Sequence, residues 1–429
     1  MKSVFYIKDS IENRISYYHL LFFLFALPFD RFYSTILLIS YLIHSVIFFR
    51  KNKWKHISPD IFILQSVFFV SIVSTIYAPS LSDSLNVIMK QLAIFIFPVL
   101  FSMGSLNLSK YRDRLLTGMS LCCTLTILYL YGYAIYVMQV NKLPLKELFS
   151  WAFVNHNFSM PIDMHATYLS MLLVLSIVHC VRKFLNEVSK RTRGYYMTGI
   201  CIQFAGLIQL SSKSALIALF LVLVFGFPGL LIRKKARYRA VFVSLIVFVA
   251  LIAGILSLPV FRERYMDTLK DDLFGNKTVL ETNGRFDRWT TAGILIKKTP
   301  FIGTGAGSEV PLLRDLYFER KMYVSYLDSL NAHNQYMSFM INSGMIGLVV
   351  YLASLAWGFW RSVKERDLML LTFIVLISVV SISEDVLLVN KGIYFYAFFF
   401  AFLVRSERGS EAGEFQSLQP RPEFNVLYY

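Results

Sequence analysis

Long apolar runs, separated by short polar segments, follow one another along the whole chain. About twelve of these runs approach or exceed the length at which an apolar helix crosses a bilayer, about 20 residues. They lie at residues 16–28, 33–49, 60–78, 86–104, 115–138, 165–181, 195–211, 215–232, 240–258, 335–360, 368–383 and 390–404. The pattern therefore predicts an all-α polytopic membrane protein with about twelve transmembrane helices.

The polar segments between the runs differ in charge. Five of them are short and rich in Lys and Arg, at residues 50–56, 109–114, 182–193, 233–239 and 361–366. They follow every second run, whereas the intervening segments carry few cations. Because basic loops stay on the cytoplasmic side of a membrane, we expect both termini in the cytoplasm and the other loops outside.

Composition supports this class. The 429 residues are 56% hydrophobic and 16% charged, and the mean hydropathy is +0.55. Soluble domains are less apolar and more charged. The net charge of +16 lies largely in the basic loops. Attraction to anionic lipid headgroups explains it, so no nucleic-acid partner is needed.

One polar stretch is much longer than the others and divides the chain. We predict transmembrane helices 1–9 in residues 1–258, a periplasmic loop in 259–334, helices 10–12 in 335–404 and a cytoplasmic tail in 405–429. Residues 259–334 are called the polar segment below. By the alternation of charge, the polar segment lies on the outer face.

The polar segment concentrates arginines, glycines and a histidine. GRFDRW opens a stretch whose periodicity predicts a helix over residues 285–298, lying on the membrane surface. GTGAG (303–307) predicts a tight loop whose bare backbone amides could bind an anion. A second short helix is expected at 311–323, and NAHNQY (331–336) leads into the tenth transmembrane helix.

The charged side chains of this region suit a phosphate-bearing substrate. Arg285, Arg288 and His333 lie in the polar segment, and Lys213 lies in SSKSAL, where two apolar runs meet with almost no loop. Arg and Lys bind phosphate oxygens, and His can take a proton near neutral pH. The alternative is that the cations are solvated or lipid-facing, Lys213 by snorkelling. Together they predict a glycosyl transfer site for a lipid-anchored diphosphate.

These motifs resemble the O-antigen ligase and polymerase superfamily of polytopic membrane proteins. The resemblance is carried by an Arg shortly before a Trp, a helix, a Pro-containing glycine turn, and an HN pair that opens a helix containing a GxxG turn. The matching residues are Arg285, Trp289, Pro300, Gly303, Gly305, Gly307, His333, Asn334, Gly344 and Gly347. One departure is Lys213, which stands where the family commonly has an Arg.

The resemblance implies an activity. Such ligases transfer a glycan from undecaprenyl diphosphate to a sugar of lipid A-core, on the periplasmic face of the bacterial inner membrane. Their fold is GT-C-like, and the reaction needs no metal, nucleotide or other cofactor. Carried over, His333 is the base for the acceptor hydroxyl, and Arg285, Lys213 and Arg288 bind the diphosphate, with Arg288 as an additional cation.

Further polar residues are expected to support the site. His165, with His156 and Asp163 nearby, suits a structural or acceptor-binding role, because no third clear metal ligand accompanies it. Glu384 could orient the base, bind a sugar hydroxyl or simply end a helix. Lys90 could add a cation or snorkel. Asn334, Gly303, Gly305 and Trp289 complete the expected set.

Three other functions remain open from the sequence. An O-antigen polymerase uses the same donor and a different acceptor, although a single large outer loop favours the ligase. A protein O-oligosaccharyltransferase would use Ser or Thr as acceptor. A transporter or flippase of lipid-linked sugars would place charges near the bilayer midplane and show internal repeats, and neither feature is visible.

Overall fold

The computed structural model describes residues 2–48, 59–232, 234–257, 262–267 and 284–406. Within these ranges all regular secondary structure is helical, and no strand occurs. The all-α prediction is confirmed for this part of the chain. The basic loop predicted at residues 50–56, part of the polar segment and nearly all of the predicted tail lie outside the described residues.

The longer helices are labelled in chain order. They are α1 (Ile11–Ala26), α2 (Arg31–Ile47), α3 (Asp60–Thr75), α4 (Leu81–Met103), α5 (Leu108–Val140), α6 (Ala166–Asn186), α7 (Lys190–Leu210), α8 (Lys213–Leu231), α9 (Lys234–Leu256), α10 (Arg285–Lys298), α11 (Glu309–Glu319), α12 (Tyr323–Leu327), α13 (Gln335–Lys364), α14 (Leu368–Val380) and α15 (Asn390–Arg405). Single turns of helix lie at Lys2–Phe5, Leu145–Phe149, Trp151–Phe153, His156–Ser159, Met160–Ile162 and Glu263–Asp267.

A helix covers most of every apolar run identified in the sequence. The main differences lie at helix starts, where capping residues extend the helix beyond its apolar part. The Asn107 side chain accepts a hydrogen bond from the backbone N–H of Lys110 (2.9 Å), and this cap starts α5 at Leu108. The basic stretch 109–114, expected to be a loop, therefore forms the first turns of α5.

Six helices are long and apolar enough to cross a membrane, judged by length and composition within the described residues. They are α4, α5, α6, α8, α13 and, within α9, Ala236–Gly254. Three shorter apolar helices are α2, α3 and α14. These helices make the chain a multi-pass membrane protein. The number of spans, about twelve, stays a prediction.

Aromatic rings fill the centre of the helix bundle around α15. The Phe398 ring lies 5.0 Å from that of Phe23 in α1 and 5.3 Å from that of Phe97 in α4, measured between centroids. Residues of α15 from Lys391 to Val404 are buried. Packing on several sides fixes α15, and this fixes the position of its first turn, which borders the site described below.

Ion pairs gather several helix ends at one end of the bundle. They join Arg112 to Asp367 (2.6 Å), Arg182 to Asp113 (2.6 Å) and Arg361 to Asp60 (2.7 Å). The starts of α3, α5 and α14 thus lie near the ends of α6 and α13. Because the helices run through the bundle, the starts of α6, α13 and α15 lie toward the opposite end, as the alternation of charged loops predicts.

Candidate active site

The described part of the polar segment forms a small folded unit against the start of α13. Helix α10 has the predicted bounds, 285–298. The second predicted helix, 311–323, begins earlier and ends earlier, at Glu309–Glu319, and Tyr323–Leu327 forms a separate turn. The break follows from Lys321, whose φ of 57° is left-handed and ends a right-handed helix.

The glycine loop 303–307 is used for packing. The backbone N–H groups of Thr304 and Gly305 donate to the carbonyls of Ile341 (2.7 Å) and Asn342 (2.9 Å) in α13. The N–H of Ala306 donates to a carbonyl of α3 (3.2 Å). The expectation that bare amides here bind an anion is therefore wrong for residues 304–306, because protein carbonyls already accept their hydrogen bonds.

The glycines of this loop allow its backbone to approach closely both the backbone of Ala78 and that of α13. Gly305 has a φ of +101°, and a Cβ there would lie 2.3 Å from the Cα of Ala78. Gly344 interrupts α13 with a φ of 63°, and the freed N–H of Met345 donates to the carbonyl of Pro300 (2.8 Å). The loop thus fixes the polar segment to α13, at residues that follow the histidine motif in the chain.

Ala332, directly before His333, is held from both sides. The indole Nε1–H of Trp289 donates to its carbonyl (2.9 Å), and its own N–H donates to the Glu309 carboxylate (3.1 Å). The N–H of His333 donates to Oδ1 of Asn331 (3.1 Å). These bonds hold His333 at a left-handed φ of 49°. Trp289, a predicted support residue, therefore positions the histidine.

Glu309 anchors this arrangement from the interior, and sequence reasoning missed it. Its buried carboxylate also accepts hydrogen bonds from the Ser338 hydroxyl and from Nδ2 of Asn342 (3.2 Å). Burial raises the pKa of Glu309, while these hydrogen bonds oppose the rise. An acidic residue in the first turn of a short helix gave no signal of this role.

Two carboxylates from the turn after α14 meet the histidine motif. Nδ1 of His333 lies 3.5 Å from Oε2 of Glu384, with the two side chains 28% and 12% exposed. Oδ1 of Asp385 accepts from the backbone N–H of Asn334 (3.1 Å). The Asn334 side chain caps α13 by accepting from the N–H groups of Tyr336 and Met337. The structure thus brings together His333, Asn334 and Glu384.

The pKa values of the two neighbouring carboxyls are shifted in opposite directions. Burial raises the pKa of Glu384, but the hydrogen bond with His333 and the electrostatic interactions with His165, His333 and Arg285 outweigh it, so the net shift of the pKa is downward. Burial and the carboxylates of Glu309 and Glu384 raise the pKa of Asp385 well above its usual range. Glu384 is therefore the ionised partner of His333.

A cavity of about 750 Å³ opens beside this pair. His333, Glu384 and His165 lie on its lining, as does the polar start of α15 at Asn390 and Lys391. A space of this size holds one or two sugar rings, within the range typical of small-molecule sites. The cavity lies at the end of the bundle that the charge pattern assigns to the outer face.

His165 forms part of the cavity wall next to Glu384. Its Nδ1 accepts from the N–H of Thr167 at the start of α6 (3.3 Å), and its ring lies 4.1 Å from that of His156. The hydroxyl of Thr167 points to Oε1 of Glu384 (3.4 Å). The surrounding protein lowers the pKa of His165 to about 4, so its ring is neutral at neutral pH.

The predicted cations are not on the lining of this cavity. Arg285 begins α10, and its charge acts on both Glu384 and His165. Arg288 is buried, with its charge acting on Tyr317 of α11. Lys90 lines a second cavity of about 380 Å³, beside Glu309.

Lys213 begins α8, directly after a left-handed turn at Ser211. Gln209, just before this turn, donates to the carbonyls of Leu148 and Phe153 (2.7 Å each). Its own carbonyl accepts from the N–H of Asn155 (3.0 Å). The turn is thus fixed beside the loop that leads into His156. Lys213 therefore begins α8 beside that loop, whereas Arg285 belongs to α10.

Sequence reasoning also missed a charged part of the cavity wall, which contains Asp30, Arg31 and Lys391. A charged residue at the edge of an apolar run is a usable signal, because such residues are costly in a bilayer. Lys391 in VNKGIYF fits that description. Within the described residues, no group of three or more His, Cys, Asp or Glu side chains is placed to hold a metal ion.

Fold and site define the class of the protein: a multi-pass helical membrane protein with a histidine–carboxylate pair on the wall of a polar cavity at one end of the bundle. The family model described as O-antigen ligase matches residues 198–352. The matched range runs from α7 into α13 and contains Lys213, Arg285 and His333. It confirms the resemblance to the O-antigen ligase and polymerase superfamily. No curated protein shows a significant match to the chain.

Proposed function

We propose that the protein is an O-antigen ligase. It transfers a glycan from undecaprenyl diphosphate to a sugar hydroxyl of lipid A-core, at the periplasmic face of the bacterial inner membrane. The observation that carries the proposal is the His333–Glu384 pair on the wall of the cavity, with His333 inside the range that matches the O-antigen ligase family. The proposal needs a base, a partner for the base and room for a sugar, and these three features support it.

His333 acts as general base in the proposed reaction. Its Nδ1 faces Glu384, which leaves Nε2 for the acceptor hydroxyl. The hydroxyl oxygen attacks the anomeric carbon of the donor, the bond from that carbon to the diphosphate oxygen breaks, and the hydroxyl proton moves to Nε2. The ionised Glu384 stabilises the imidazolium that results. Direct displacement of this kind inverts the anomeric centre.

Arg285 and Lys213 hold the leaving diphosphate in this proposal. Negative charge grows on the diphosphate as the bond breaks, and fixed cations stabilise it without reorganising. Arg285 lies close enough for its charge to act on Glu384, so a phosphate bound to it lies near the base. Arg288 supports α10 from within, because it is buried beside Tyr317.

A transfer assay with the purified full-length protein in lipid nanodiscs tests this function. Undecaprenyl diphosphate glycan and lipid A-core are supplied to the wild type, to His333→Ala and to His19→Gln. His19 lies in α1, away from the cavity, and controls for the loss of a histidine. We expect glycan on lipid A-core with the wild type and His19→Gln, and a rate about a hundredfold to ten-thousandfold lower with His333→Ala.

Other outcomes assign the chain to the alternatives. A longer lipid-linked glycan with untouched lipid A-core identifies a polymerase. Glycan on added protein identifies a protein O-oligosaccharyltransferase. In sealed proteoliposomes, movement of the donor across the bilayer, equal in wild type and His333→Ala and without a transfer product, identifies a transporter. Equal transfer by both variants contradicts the role of His333.

A further inference from the structure

The charged part of the cavity wall contains a buried ammonium group that makes no hydrogen bond. Lys391 is the second residue of α15 and is only 9% exposed. Its Nζ is buried without a hydrogen-bond partner, although it borders the cavity. An unsatisfied buried charge is costly, so a ligand that offers acceptor atoms here gains more than it would at an exposed lysine.

The groups around Lys391 decide which ligand fits. Asp30, Arg31 and Asp163 line the same part of the cavity. Oδ1 of Asp30 caps α2 by accepting from the N–H of Phe32 (2.8 Å), so this carboxylate is fixed in place. Asp30 and Asp163 both attract the Lys391 ammonium electrostatically. The wall therefore presents two cations and two carboxylates, a mixture of donors and acceptors without surplus positive charge.

This mixture suits sugar hydroxyls better than phosphate. A phosphate would gain from Lys391 and Arg31, but it would meet the repulsion of Asp30 and Asp163. A hydroxyl group both donates and accepts, so it can bond to an ammonium and a carboxylate together. Arg285, outside the cavity lining, remains the cation for the diphosphate.

We propose that Lys391 and Asp163, with Asp30, bind the hydroxyl groups of a neutral sugar in the cavity that His333 also lines. This inference rests on the proposed function, because that function makes the cavity a glycan site. The sugar belongs either to the donor glycan next to its diphosphate or to the acceptor. In both cases the wall sets which sugar reaches the base.

Direct measurement of ligand binding to the full-length protein in nanodiscs tests the role of these wall residues, and it does not require glycan transfer. The probes are a core oligosaccharide freed of phosphate, the donor glycan released from its diphosphate, and inorganic pyrophosphate. The variants are Lys391→Met, which keeps the apolar stem, Asp163→Asn, and Lys297→Met as the same change at an exposed lysine of α10. We expect Lys391→Met to weaken one oligosaccharide at least about tenfold and to leave pyrophosphate unchanged.

The oligosaccharide that is weakened identifies its source. Asp163→Asn should weaken the same oligosaccharide, and Lys297→Met should weaken neither. Three results would overturn the proposal: no binding of either oligosaccharide to the wild type, equal binding to wild type and Lys391→Met, or loss of pyrophosphate binding in Lys391→Met. A wild type that binds oligosaccharide but transfers nothing refutes the proposed ligase activity and leaves the sugar wall standing.

Discussion

His333 and Glu384 form the central pair of the site, and the sequence indicated the role of His333 more clearly than that of Glu384. The histidine stands in a motif that resembles a family, so its importance could be predicted. Glu384 lies in a helix-end turn whose sequence fits a simple loop equally well. Only the packing of that turn against the start of α13, through the bond from Asn334 N–H to Asp385, makes Glu384 the partner of the base.

Glu384→Gln tests the charge of this partner. We expect the rate constant for transfer to fall at least about tenfold, because the neutral amide no longer stabilises the protonated base. The Michaelis constants should change little, since the substitution affects the stabilisation of the protonated base and not the binding of the substrates. Glu319→Gln, an exposed residue of α11, serves as the matched control. Unchanged turnover in Glu384→Gln would show that the base works without its carboxylate.

The lowered pKa of Glu384 makes the stability of the folded protein depend on pH. A carboxyl whose pKa is lower in the folded than in the unfolded chain stabilises the fold above its ordinary pKa, 4.5. This stability is lost as the pH falls through the lowered value. The difference in melting temperature between wild type and Glu384→Gln should therefore be largest near neutral pH and shrink below about pH 4.5. A difference that grows on acidification would contradict this assignment.

At the scale of elements, helices were predictable and contacts between elements were not. Apolar length and periodicity placed the membrane helices and gave α10 its bounds, because both signals are local. The glycine loop shows the limit. Its composition fits an anion-binding turn, but its amides are taken by carbonyls of residues such as Ile341, which lies far along the chain. No local pattern reports such a contact.

Gly305→Ala and Gly293→Ala form a matched pair that tests the packing role of this loop. At Gly305 a Cβ would meet the backbone of Ala78 at a strained φ, so we expect a loss of at least about 1 to 3 kcal/mol. At Gly293, inside α10, nothing lies within 4 Å of an added Cβ, so alanine should stabilise by up to about 1 kcal/mol. Unfolding in detergent measures both, and equal stability would contradict the packing role.

At the scale of the molecule, the cavity joins residues from both ends of the chain. Asp30 follows α1, His165 precedes α6, His333 precedes α13 and Lys391 opens α15. Each of them lies at a helix end on the same side of the bundle, so the alternating charges predicted their common side. Their grouping around one cavity depends on the packing of α15 among its neighbours, and that packing cannot be obtained from periodicity.

The orientation of the molecule can be tested with single cysteines. Cys122, Cys123, Cys180 and Cys201 are first replaced by serine or alanine, which leaves a background without thiols. Lys297→Cys then places an exposed thiol in α10, and Lys190→Cys places one at the start of α7. In intact spheroplasts, a membrane-impermeant maleimide should label Lys297→Cys alone, because basic loops such as 182–193 remain cytoplasmic.

Lys190→Cys should become labelled once the membrane is permeabilised, and a cytoplasmic marker protein must stay unlabelled until then. The reverse pattern would place the cavity in the cytoplasm. His333 would then lie on the side where no periplasmic lipid A-core can reach it, and the ligase proposal would fail even with the catalytic geometry intact. The predicted pattern would place the histidine, the cations around it and the sugar wall on the side where the proposed donor and acceptor meet.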